Sequence, residues 1–162
     1  LLGLRSIAFV LGLDASAQAL VRVRQHPCSA QAITSGRLQL QVGSFMQVDL
    51  HPWQLDTLVL LETIEHIPSE RLEVLERQLF QQSDARQILI STPNADYNPL
   101  LGLSPGQRRH PDHQFEWGRS RFGDWAQRVA HRHGYGVMVE SIGNHHDTVG
   151  TPSQVAVFIG LN

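Results

Sequence analysis

Leu58-Val59-Leu60-Leu61-Glu62-Thr63-Ile64-Glu65-His66 runs an uninterrupted apolar segment of strand length straight into three side chains able to ligate a metal. Residues 58–61 read as a strand buried on both faces, the kind found in the parallel sheet of an α/β protein. Ligands of such open sheets gather outside the carboxyl ends of the strands, so Glu62, Glu65 and His66 are expected at a site. Their i, i+3, i+4 spacing sets them on one face of a helical turn. Two carboxylates and an imidazole there can hold a divalent cation and leave coordination positions open for a substrate. The alternative is that both glutamates are helix-start carboxylates favoured by the macrodipole, with His66 packing before Pro68.

Working outward, the same alternation of strand and helix recurs. Ile7 to Leu13 reads as a buried strand closing on Asp14, followed by a helix through about Arg24. An acid at the end of such a strand suits ribose hydroxyls, or else caps the helix that follows. Leu38 to Val42 alternates with period two and ends in Gly43-Ser44-Phe45, where an aromatic beside a hydroxyl suits a purine or is simply core plus turn. Ser69 to Gln81 carries Leu72, Leu75, Leu79 and Phe80 as an amphipathic stripe, with Ser69 as N-cap. Gln87 to Thr92 is a fourth strand, stopped by Pro93-Asn94, which makes the pattern that of a doubly wound sheet.

Residues 95–118 form a long connection without a period, and connections of that length in compact domains tend to carry function. This one contains Arg108-Arg109-His110-Pro111-Asp112-His113-Gln114-Phe115-Glu116-Trp117. Ser120 is then expected to cap a helix through about Arg132, with Phe122, Trp125 and Val129 inward and Gly134 at its end. Tyr135 to Ser141 and Gln154 to Gly160 are expected to pair as antiparallel strands. Between them His145-His146-Asp147 reads as a solvated polar loop, with metal ligation as the alternative.

The 162 residues suffice for one core, and the reading is of one domain over 1–162. A net charge of −2 gives no global basic field, so contact with a nucleic acid must come from a local patch. The single Cys28 excludes an internal disulfide framework and fits a reducing compartment. The longest apolar run, Ile7 to Leu13, is far short of the ~18 residues of a membrane span, and no cleavable signal precedes it, so the chain reads as cytoplasmic with no membrane partner.

Taken together, the strand ending in Asp14, the Gly43-Ser44 corner, Glu62-Thr-Ile-Glu65-His66, Ser91-Thr-Pro-Asn94 and above all Arg109-His-Pro-Asp-His-Gln-Phe-Glu-Trp117 resemble the small-RNA 3′-terminal 2′-O-methyltransferases. The resemblance implies a Rossmann-like class I methyltransferase fold, mostly parallel with an antiparallel C-terminal strand, and S-adenosylmethionine as cofactor. It implies transfer of a methyl group to the 2′-hydroxyl of the 3′-terminal nucleotide of RNA. Glu62, Glu65, His66 and His113 would be ligands of a divalent cation, with His66 also catalytic. Asp14 would bind the cofactor's ribose, with Ala15, Ser44 and Phe45 around the adenine. Asn94, Arg108, Arg109 and His110 would meet the substrate. The family's metal is magnesium, whereas two imidazoles by softness suit manganese, cobalt, iron or zinc. Bacterial members act in RNA repair, which implies a kinase-phosphatase or ligase partner. Such a fold has a first strand and Gly-rich turn before the strand ending in Asp14; only Leu1 to Ser6 precede that strand, so this partial domain is expected to lack them and to turn over little alone. Competing readings are a small-molecule O-methyltransferase, with the long loop as a lid, and a non-catalytic remnant that binds a metal or a partner.

Overall fold

The computed structural model describes residues 1–161, which gather into two compact units, Leu1–Asp49 and Leu50 onward. In the first, β1 (Val10–Asp14) and β2 (Leu38–Val42) lie parallel, with Val10 opposite Leu38 and Asp14 opposite Val42. Parallel strands need a crossover, here made by α1 (Ala17–Gln25) and α2 (Pro27–Thr34). β1 starts three residues later than its apolar run. The carbonyls of Leu4 and Ile7 instead accept hydrogen bonds from the Arg37 guanidinium, at 3.2 and 2.8 Å. Ser16 caps α1, its Oγ accepting from the Ala19 N–H at 3.2 Å. The helical stretch breaks at His26 because the residue before a proline is driven out of the helical region, and Pro27 then opens α2 at a position where its missing N–H costs nothing. Gly12 leaves room for its neighbour across the pair, since a Cβ there would lie 2.6 Å from Leu40 Cδ2 and displace that methyl.

The second unit is built on a four-stranded sheet in the order β3-β4-β6-β5, from β3 (Thr57–Leu60), β4 (Gln87–Pro93), β5 (Tyr135–Ile142) and β6 (Ser153–Gly160). β3 and β4 are parallel, and β6 runs antiparallel to both its neighbours, so the last strand alone opposes the others. The helices α3 (Leu72–Phe80) and α4 (Arg119–His133) cover it. Ile88, Ile90, Ala156 and Phe158 of the sheet, Leu75 and Leu79 of α3, and Phe122, Ala126 and Val129 of α4 form the buried core. Two aromatic contacts fasten the helices to β6: Phe80 and Trp125 meet the Phe158 ring edge-on at 4.9 and 6.3 Å between centroids.

Both helix starts differ from expectation. Ser69 opens a 3₁₀ turn, Ser69–Arg71, and does not cap; α3 begins at Leu72. Ser120 does not cap α4 either, because Gly118 holds that position and the carboxylate comes from elsewhere in the chain. Asp96 Oδ2 accepts the Arg119 N–H at 3.1 Å, and a Cβ on Gly118 would collide with that carboxylate at 2.2 Å. The connection before α4 is also less irregular than its sequence, since Ala95–Leu101 forms a 3₁₀ segment, whose three-residue repeat no helical stripe reveals. Among the described residues, no helix is long and apolar enough to cross a membrane.

Candidate functional site

The end of β3 turns sharply at Glu62, whose φ of 48° puts a side-chain-bearing residue in the left-handed region. Ser91 on β4 holds that turn from both sides: its Oγ accepts the Glu62 N–H at 3.0 Å and donates to Glu62 Oε1 at 2.8 Å. Ser153 Oγ reaches Glu62 Oε2 at 3.4 Å. The chain then makes one 3₁₀ turn, Ile64–His66, instead of a regular helix, with Glu65 buried and His66 exposed.

Glu65 is fully buried, which excludes a solvated helix-start carboxylate. Its Oε2 accepts from Thr92 Oγ1 at 3.0 Å, while its Oε1 has no hydrogen-bond partner. Burial pushes the Glu65 carboxyl above its ordinary range, and neighbouring Glu62 adds to the shift. The long loop supplies the rest of the site. The Gln114 and Phe115 N–H groups both donate to the Glu65 carbonyl, at 2.7 and 3.4 Å, and draw His113 in. Ligand atoms of Glu65, His66 and His113 lie within 4.8 Å of one another. His113 Nδ1 meets Glu116 Oε1 at 2.6 Å, which leaves Nε2 as its available nitrogen. A carboxylate on the far nitrogen of an imidazole is the usual support of a metal-ligating histidine. With the unpartnered Glu65 oxygen, this donor set fits a divalent cation.

Glu116 was not singled out by the sequence, and it organises the loop. It also accepts from Asn98 Nδ2 at 2.6 Å and from the Arg109 N–H at 2.7 Å. Burial pushes its carboxyl up, but the hydrogen bonds from Asn98, His113 and the Arg109 backbone outweigh it and hold the group below its ordinary value.

The other expected residues divide. Glu62 borders the site, with its carboxylate on the two serines and outside the trio of potential ligands. His110 is exposed beside it, 6.2 and 5.7 Å from the His66 and His113 rings. Asn94, expected at the substrate, is instead fully buried: its Nδ2 donates to the Val149 and Thr151 carbonyls, at 2.9 and 2.8 Å, and its Oδ1 accepts from the Asp96 N–H. Arg109, expected at the substrate, spends its guanidinium on Asn98 Oδ1 and on the carbonyls of Pro152 and Asn94. Burial lowers the Arg109 pKa, with Glu116 opposing. Both residues are committed because buried polar groups and loop carbonyls require partners. Arg108 remains exposed, donating once, to the His113 carbonyl. His145 and His146 are exposed, and His146 Nδ1 accepts from the Thr148 N–H within its own turn.

In the first unit, Asp14 stands exposed at the carboxyl end of β1, and its Oδ1 accepts the Ser16 N–H at 2.7 Å. Ala15 beside it is exposed. Ser44 Oγ accepts the Met46 N–H at 3.2 Å, and Phe45 is half-buried after the β2 corner.

No protein-family model matches the chain. A small RNA 2′-O-methyltransferase of Xenopus tropicalis is 39% identical over 128 residues, covering 77% of this chain and 34% of that protein. The crystal structure of the methyltransferase domain of bacterial CtHen1-C superposes with a TM-score of 0.81 at 32% identity, covering 98% of this chain and 80% of that one. A chain of the Pnkp1/Rnl/Hen1 RNA repair complex shares the fold at a TM-score of 0.65 and 18% identity, over 93% of this chain and 31% of that one. The chain spans about a third of the length of the first two curated relatives it matches. The fold is therefore that of a Rossmann-like methyltransferase domain, and, with sequence identity carried across 80% of a methyltransferase domain of the same kind, the chain belongs to the small RNA 2′-O-methyltransferase family.

Proposed function

We propose that this domain transfers a methyl group from S-adenosylmethionine to the 2′-hydroxyl of the 3′-terminal nucleotide of RNA, with the help of a divalent cation. The observation that carries the reading is the buried Glu65 carboxylate, one oxygen unpartnered, beside His66 and a His113 whose far nitrogen rests on Glu116. Glu65, His66 and His113 would hold the ion, with Glu62 completing the set from the end of β3. When bound, the ion supplies Lewis acidity that eases ionisation of the attacking hydroxyl. Mixed carboxylate and imidazole donors accept magnesium, manganese or cobalt. S-adenosylmethionine supplies the methyl group as a sulfonium. Asp14 offers a carboxylate to its ribose, and Ala15, Ser44 and Phe45 would line the adenine.

The protein's own groups do the positioning. Thr92 fixes one oxygen of Glu65, and the other, without a hydrogen-bond partner, would be free for the ion. Glu116 fixes the orientation of the His113 ring. His66 and His110 are both exposed at the site, and with His66 holding the ion His110 would be the imidazole left to accept the proton. Arg108 would meet backbone phosphate, a contact that positions RNA without reading its sequence. Likeness to a chain of an RNA repair complex supports a kinase-phosphatase or ligase as partner.

The test is labelled methyl transfer to a short RNA with and without chelator, followed by addition of magnesium, manganese or cobalt. The expected result is activity abolished by chelator and restored by metal, with Glu65→Gln and His113→Ala inactive but folded. Undiminished transfer in chelator would overturn the metal's role, and transfer to a catechol but not to RNA would replace the substrate.

A further inference from the structure

Glu116, which holds the His113 ring, also lines a cleft of about 410 Å³ among Arg108, Gln114, Phe115, Trp117 and Arg121. Its size falls in the range of small-ligand sites, about 300–1,000 Å³. Its wall is an aromatic stack: Phe115 lies on Trp117 at 4.2 Å and 21°, and the Arg121 guanidinium lies over the Trp117 ring, 5.2 Å from its centre. Trp117 is buried, and its indole N–H has no hydrogen-bond partner. Among the described residues neither Arg108 nor Arg121 is ion-paired with a carboxylate. The acid in the wall, Glu116, is already spent on Asn98, His113 and the Arg109 N–H. Two exposed guanidiniums without acidic partners, one of them laid on an aromatic stack, make a surface for a flat π-system joined to an anion.

We infer that this cleft is the subsite for the penultimate nucleotide of the RNA, its phosphate on Arg108 and its base stacked on the guanidinium of Arg121. The inference rests on the proposed reading that the terminal ribose sits at Glu65, His66 and His113, and Glu116 is the wall that both sites share. Arginine planes commonly receive unstacked RNA bases, and stacking tolerates any base, so the subsite adds grip without sequence preference.

The experiment uses the full chain and 3′-hydroxyl RNAs that differ only in carrying an abasic residue at the penultimate or the third position. With wild-type protein, the penultimate abasic RNA should raise KM about tenfold, the ordinary worth of one stacked base, with kcat unchanged and the third-position RNA unaffected. Arg121→Ala should raise KM by a similar factor on intact RNA and add nothing on the penultimate abasic RNA. Arg121→Lys, which keeps the charge but not the plane, should behave like Arg121→Ala. Additive penalties, full rescue by lysine, or an equal effect of the third position would overturn the inference. If Arg121→Ala does not fold, the two abasic RNAs on wild-type protein decide alone. Should no RNA be methylated at all, the proposed function fails, and fluorescence anisotropy with the same RNAs still reports whether the cleft holds the penultimate base.

Discussion

Glu116 shows how one side chain sets up its neighbours. Its carboxylate holds the ring of His113, a side chain of the 3₁₀ segment and the backbone of Arg109 at once. Glu116→Gln keeps the shape but removes the charge that orients His113, so manganese affinity measured by calorimetry should fall about ten- to a hundredfold in a variant that circular dichroism shows to be folded. An unaltered affinity would remove Glu116 from the site. The two adjacent arginines should separate just as cleanly. Arg109→Met strands the Asn98 oxygen and two loop carbonyls, at a cost of about 3 kcal/mol in denaturant unfolding. Arg108→Ala should leave stability nearly unchanged and weaken RNA binding with a reduced salt slope; the opposite pattern would reverse the assignment. The gathering of Glu65 and His66 with His113 was legible, the first two because they follow one strand in the sequence and His113 through its motif, whereas the structure leaves Glu62 outside that trio. The roles of Arg109 and Asn94 were not legible, because polar side chains that satisfy distant carbonyls look in sequence like polar side chains offered to a ligand.

At the level of elements, β2, β4 and the β5–β6 pair follow their sequence patterns almost residue for residue, since strand burial is written in local apolar runs. Helix α2 went unseen because Pro-Cys-Ser-Ala-Gln-Ala-Ile-Thr carries no apolar stripe, and the start of α4 because its cap, Asp96, lies 23 residues upstream. The α3–α4 contact carries a pH dependence of its own. Glu76 on α3 accepts from Trp125 Nε1 at 3.1 Å and from Arg132 Nη1 at 2.8 Å, and His133 stacks on Phe80 at 5.3 Å with a side chain only 3% exposed. His133 Nε2 lies 4.0 Å from Glu76, an acid that favours the charged ring, but burial is the larger effect and lowers its pKa. A depressed folded-state pKa means that protons bind the unfolded chain more readily. Stability is therefore complete above the ordinary imidazole value of 6.5 and declines as pH falls from there through the folded value. Thermal unfolding between pH 7.5 and 5 should show this decline shallower in His133→Gln than in wild type; identical slopes would exclude His133 as a source.

For the molecule as a whole, the fold and the family were both legible, the fold from alternating strands and helices and the family from the segment Arg109 to Trp117. Less legible was how that segment works, because its order comes from hydrogen bonds to Glu65 and Glu116 and not from a periodic apolar face. The central claim is that Glu65, His66 and His113 would hold a divalent cation at the ribose of an RNA 3′ end, where both vicinal hydroxyls are required. The most direct measurement is labelled methyl transfer, in the presence of manganese, to four otherwise identical oligonucleotides ending in an unmodified ribose, a 3′-phosphate, a 3′-deoxyribose and a 2′-deoxyribose. Methylation is expected of the first alone, since the 3′-phosphate brings charge to a site already holding Glu62 and Glu65, the 3′-deoxy end lacks the second oxygen, and the 2′-deoxy end has no nucleophile. Efficient labelling of the 3′-phosphorylated or 3′-deoxy RNA would contradict it.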